Sequence, residues 1–275
     1  MGEKNVCCNS LSRSLPGWAV AVSVVWGVAS AHAGQADPLA SVMWDSVHQE
    51  VLAGQPVVFD PAVRVITAAR VENTMQVPIE VEVDDSVGPV SEIVVFADHN
   101  PIPRILTYRP LSARPRIGLS FKVQEATPIR AAARTADGVW HVGGQWADAA
   151  GGGCTTPSAG QRSRAWESHL NEATYHRWPR ADGSERLQVS LIHPMDTGLA
   201  PGIPAFYLTR LVLRDQDGTP LAELLPAEPV AENPLFALDL RPAQPGKTVW
   251  RLEGGDSDGN LVAASLPPSP QEGGQ

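Results

Sequence analysis

The chain has 275 residues, with 21 basic against 30 acidic side chains and a net charge of −9. Apolar residues make up 43%, and Gly and Pro number 24 and 25; this excludes wholesale disorder and disfavours a helical bundle. No basic run occurs, which excludes nucleic acid and anionic membrane surfaces as partners, since both need clustered Lys or Arg.

In chain order, residues 1–33 read as a secretory signal. Lys4 and Arg13 form a weakly positive start, Leu15 to Ala31 an uncharged apolar run, and Ala31-His32-Ala33 a small-x-small cleavage site. Cleavage after Ala33 predicts a periplasmic protein free of the membrane. It also removes Cys7 and Cys8, leaving Cys154 as the one thiol of an exported chain. Such an odd cysteine is intermolecular or reactive.

Residues 37–53 carry Leu39, Val42, Met43, Val47 and Val51 at helical spacing, with Pro38 in the first turn and Gly54 at the end, and predict a helix. The period then changes to that of strands. Segments starting at Val63, Val77, Glu92, Arg104, Arg116, Pro128 and Val139 predict seven short strands in about 95 residues, the number of an immunoglobulin-like sandwich. The stretch 149–164 contains Gly151, Gly152, Gly153, Cys154 and Thr155-Thr156-Pro157 without periodicity, and reads as a flexible arm. A short helix is expected around 165–175. Segments from Leu187, Phe206, Leu221, Leu235, Lys247 and Asn260 predict a second sandwich, followed by a frayed tail at 267–275. The expected organisation is all-β: a signal at 1–33, sandwiches at 34–148 and 165–266, and the arm between them.

Formal motif matches are weak. Gly255-Asp-Ser-Asp-Gly259 has the spacing of a nucleophile elbow, but strands on both sides predict a hairpin turn. No dinucleotide, zinc-protease or dithiol pattern is present, so no catalytic residue, metal ligand or cofactor is implied. His48, His99, His141, His169, His176 and His193 are scattered, although His169 and His176 would share a helix face. His193-Pro194-Met195 with Cys154 forms a set of soft metal donors. Cys154 stands out because only small residues flank it. It is expected to be exposed with a thiol near the ordinary value of about 8.5, suited to carrying a covalent group. Gly151, Gly152 and Gly153 would give the arm its mobility.

Taken together, Glu72-Asn73, Val77-Pro-Ile-Glu-Val-Glu-Val83 and Phe96-Ala-Asp-His-Asn-Pro101, followed by Gly152-Gly153-Cys154, resemble the SoxY sulfur-carrier family. His193-Pro-Met-Asp-Thr-Gly198, Ile203-Pro-Ala-Phe206, Asn233-Pro234 and the Asp258-Gly259 turn resemble its partner family SoxZ. The resemblance implies a fused SoxYZ-like carrier of the type associated with periplasmic quinoprotein dehydrogenases, and no enzymatic activity of its own. It implies that Cys154 holds a sulfur-containing intermediate for redox or hydrolytic partner enzymes, which load and unload the arm. Here Thr155-Thr156-Pro157 stands where the family arm continues with Gly-Gly, and the arm is internal rather than C-terminal. Two other readings of the residues stand beside this one: a non-covalent assembly module for a periplasmic dehydrogenase, and a periplasmic metal carrier.

Overall fold

The computed structural model describes residues 1–2, 36–161, 164–242 and 246–268. The expected signal peptide with its cleavage site, and most of the expected tail, lie outside them. After helix α1 (Trp44–Leu52), the first half contains β1 (Val57–Phe59), β2 (Val63–Thr67), β3 (Arg70–Val71), β4 (Val77–Val83), β5 (Val90–Ala97), β6 (Arg104–Arg109), β7 (Arg116–Phe121), β8 (Thr127–Thr135) and β9 (Trp140–Ala149). The second half contains β10 (Ala173–Pro179), β11 (Glu185–Leu191), β12 (Asp196–Thr197), β13 (Ala205–Phe206), β14 (Leu208–Arg214), β15 (Pro220–Pro226), β16 (Leu235–Leu240), β17 (Trp250–Asp256) and β18 (Leu261–Leu266).

The strands make two large sheets. One runs β1-β9-β8-β5-β6-β15-β14-β17-β18, with β3 also on β9; the other runs β10-β11-β16-β7-β4-β2. Each half is thus an immunoglobulin-like sandwich, and the halves meet strand to strand in both layers. In one layer Tyr108 of β6 pairs with Leu224 of β15. In the other, Ile117 of β7 pairs with Leu238 of β16. Alternation explains the core between the sheets: Val77, Ile79, Val81 and Val83 of β4 point inward, as do Leu187, Val189 and Leu191 of β11. The apolar cluster is continuous from Val63 to Leu266 and contains residues of both halves.

β5 departs from alternation because both its faces are covered. Ile93, Val95 and Ala97 enter the main core, while Val94 and Phe96 lie under α1 with Trp44, Val47 and Val51. The helix is shorter than its apolar spacing predicts. Asp37 accepts N–H bonds from Leu39 (3.1 Å) and Ser41 (2.8 Å), closing a turn where a helix was expected. Asp37 also pairs with the buried Arg130 at 2.7 Å, which is held by Asp98 at 3.0 Å and lies 4.5 Å from the Trp44 ring. A polar clasp closes the seam. Asp239, 2% exposed, faces Arg180 at 3.2 Å and Arg186 at 3.3 Å from the second half and Arg116 at 3.6 Å from the first.

The helix expected at 165–175 is not formed. A 3-10 turn spans Ala165–His169, and β10 follows, pairing along its whole length with β11. Its Thr174, His176 and Trp178 are exposed on an edge strand, which removes the apolar alternation that marks a strand in sequence. The Gly255–Gly259 segment is part of the β17–β18 hairpin and its turn, as its flanking strands predict.

Candidate functional site

The site grows from the end of β7. Beyond Phe121, Lys122 donates its N–H to Pro229 O at 2.7 Å, and Val123 donates to Thr74 O at 2.9 Å. Asn100 braces this stretch: its Nδ2 donates to Lys122 O and its Oδ1 accepts from Gln124 N, both at 2.9 Å. The glycine run lies against the same backbone. Gly152 N donates to Gln124 O at 2.8 Å, and Gly153 N to Val123 O at 2.9 Å. A Cβ on Gly153 would meet Thr74 O at 2.1 Å and Val123 O at 2.6 Å, so only glycine fits there. Gly151 and Gly152 take φ of 101° and 87°, a region that disfavours side chains.

Cys154 is therefore seated, where an exposed thiol was expected. It is 1% exposed, and its Sγ lies 3.5 Å from Lys122 O. Small neighbours do not expose it; they let the loop come close enough for both halves to cover it. Burial pushes its thiol up to about 11, against the opposing pull of the Lys122 ammonium, where a value near 8.5 was expected. At neutral pH the seated thiol is protonated and a poor nucleophile.

The second half holds the residues after the cysteine. Thr197 Oγ1 donates to Cys154 O at 2.6 Å. Asp196 accepts from Ser158 N at 3.4 Å and from the Gln161 side chain. Glu232 accepts from Ala159 N at 2.6 Å and Gly160 N at 2.8 Å. Thr155, Thr156 and Pro157 form the exposed crest of the loop. Thr156 and Pro157 border a cleft of about 650 Å³ that Met75 and Gln76 line from the first half, and Glu232 from the second.

Met195 stands against Lys122, whose ammonium donates to Met195 O, and His193 precedes it by two residues. His193 is fully buried. Its Nδ1 accepts from Met195 N at 3.0 Å, which puts the proton on Nε2, 3.6 Å from Asp256 Oδ2. Burial lowers its pKa to about 4, although Asp256 favours the charged form. Met195 sits at φ 51°, and its sulfur accepts from Leu208 N at 3.3 Å. His193 Nδ1 and the Met195 sulfur are thus committed to backbone N–H groups, which speaks against the soft-metal set of Cys154, Met195 and His193 in this conformation.

The other described histidines lie apart from this site. His48 stacks on Trp44, His99 packs edge-on against Trp146, and His141 pairs with Asp60 at 2.8 Å. His169 ends the 3-10 turn and pairs with Glu172, whereas His176 lies on β10 beside Trp178. The expected shared helix face is therefore absent. Sequence reasoning missed Lys122, Asp196, Thr197 and Glu232 as neighbours of the cysteine. Lys122 had a signal, a charge inside the apolar run from Ile117 to Val123. Glu232 had none beyond its place before Asn233-Pro234.

Among the described residues, the fold and this site define a two-sheet β-sandwich with one seated thiol, Cys154, at the junction of its halves. Residues 48–154 match the family model described as "Sulfur oxidation protein SoxY". A solved structure, that of the sulfur carrier protein SoxY from Chlorobium limicola f thiosulfatophilum, aligns over 39% of this chain and 96% of that one. Its identity is 15% and its TM-score 0.35. No curated relative matches the sequence. The stretch of the chain that matches the SoxY family model ends on Cys154.

Proposed function

We propose that the protein is an exported SoxYZ-like carrier, not an enzyme. In this reading Cys154 holds a sulfur-containing intermediate covalently and presents it to periplasmic redox or hydrolytic enzymes. The half from 165 to 266 is a fused SoxZ-like companion, and the system is linked to a quinoprotein dehydrogenase. The observation that carries the reading is that the SoxY match runs up to and includes Cys154, the one free cysteine among the described residues.

The geometry adds a two-position cycle. Seated, the thiol is shielded and protonated; loading requires the loop to leave the seam, where the thiol returns to its ordinary range and becomes a nucleophile. From Ala149 at the end of β9, the five residues to Cys154 reach about 17–18 Å when extended. The loop is tethered at both ends, so a partner must present an open cleft rather than a narrow channel. Joining the thiolate to a sulfur anion through a new S–S bond removes two electrons, which a redox partner accepts.

Intact-mass spectrometry of the protein isolated from its host tests this reading. A sulfur adduct on Cys154 that a reductant removes, absent from Cys154→Ser, is expected. An unmodified thiol together with a fully functional Cys154→Ser variant leaves the assembly-module reading standing and removes the carrier.

A further inference from the structure

Lys122 is 1% exposed, yet its ammonium makes one hydrogen bond among the described residues, to Met195 O. An ammonium has three N–H donors, and a buried charge with idle donors is a group that calls for an explanation. Burial disfavours the Lys122 charge, and Asp196 and Glu232 favour it electrostatically. Both carboxylates are engaged elsewhere, Asp196 on Ser158 N and Gln161, Glu232 on Ala159 N and Gly160 N. A second, independent orphan lies in the loop that carries the cysteine. Ser158 is 2% exposed, and its hydroxyl is buried without a hydrogen-bond partner. The seated thiol is neutral and a weak acceptor, so it satisfies neither group.

We propose that Lys122, assisted by Ser158, is the receptor for the negatively charged end of the group carried on Cys154. The seated state is thereby selective for anionic cargo. This rests on the carrier reading and adds the residues of this chain that would recognise the charge of the cargo. Removing Lys122 leaves Asp196 and Glu232 as the charges that act there, and both repel an anion. The preference then changes sign rather than merely fading.

Two small adducts of opposite character measure this in a Cys7→Ser, Cys8→Ser background, where Cys154 is the one thiol. With tetrathionate the Cys154 thiolate displaces thiosulfate and keeps –S–SO3− on its sulfur. With methyl methanethiosulfonate it displaces methanesulfinate and keeps a neutral –S–CH3. Both forms are loaded in mild urea, returned to buffer and melted. The anionic form is expected to melt about 3–8 °C above the neutral one, the effect of one or two charge-assisted hydrogen bonds. The order is expected to reverse in Lys122→Met and the gap to narrow in Ser158→Ala; Lys122→Gln serves if the methionine variant does not fold. An anionic form no more stable than the neutral one, or an advantage that survives loss of Lys122, overturns the assignment. The result does not depend on native cargo: a host protein without an adduct removes the carrier reading, but leaves the charge preference measured here standing.

Discussion

The two halves of the molecule hold the cysteine loop by different means. The first half grips Gly151–Gly153 chiefly with backbone, through Val123 O, Gln124 O and the close approach of Thr74 O, and adds one side-chain bond, from Thr74 Oγ1 to Gly151 O at 3.2 Å. The second half grips residues 154–161 with side chains, Thr197, Asp196 and Glu232. A backbone grip depends on shape and has no partial state. A side-chain grip is a sum of separable bonds that a partner can compete for one at a time. The comparison teaches where the loop should open: the end held by the second half releases first, and the glycines serve as the pivot.

The largest expected effect breaks the backbone grip. Native Cys154 should be alkylated at least about a hundredfold more slowly than the urea-unfolded chain, because the upward shift of its thiol alone removes that much thiolate. Gly153→Ala should bring the native rate to within about tenfold of the unfolded one, since backbone atoms on both sides leave no room for a methyl group. A variant as protected as the wild type would mean that the first half does not grip by shape.

Titration separates the halves by pH. The folded thiol of Cys154 lies above the ordinary range of about 8.5–9, at about 11. Its contribution to stability is therefore whole below pH 9 and is lost as pH rises to about 11, because the unfolded chain sheds its proton first. His193 has the opposite sign. Its folded value is depressed from 6.5 to about 4, so its contribution is whole above pH 6.5 and is lost as pH falls to about 4. Each limb amounts to about 3 kcal/mol at most. Urea unfolding across pH should show both limbs, with Cys154→Ser flattening the alkaline one and His193→Gln the acid one. A limb that persists in its variant belongs to another group.

The smallest effect sharpens the side-chain grip. Glu232→Ala frees the N–H groups of Ala159 and Gly160, both near solvent. It should cost about 1 kcal/mol and speed alkylation of Cys154 about fivefold. An unchanged alkylation rate with the same loss of stability would place the opening elsewhere in the loop.

Much of the fold was legible along the chain. β4 and β16 fall on the predicted residues because one or both of their faces are apolar and turns bound them. The edge strand β10 was not legible, since its outward residues meet only water and β11 supplies its partner. Within the site, Cys154 and its glycines stood out by rarity and by the family pattern. Lys122, Asp196, Thr197 and Glu232 did not, because between 32 and 78 positions separate them from the cysteine and nothing local marks their approach.

By itself, the sequence determined the β class, the two strand series, the SoxY-like segment and the identity of the one cysteine beyond residue 8. These follow from short-range periodicity and from residue types that declare their chemistry wherever they stand. Only the tertiary structure decided that the sheets run unbroken from one half into the other, and that the glycine arm is seated and its thiol protonated. Glycine permits either a free arm or a close approach. The choice between them depends on whether distant carbonyls and carboxylates lie where the backbone N–H groups can reach them, and only the folded chain supplies those positions.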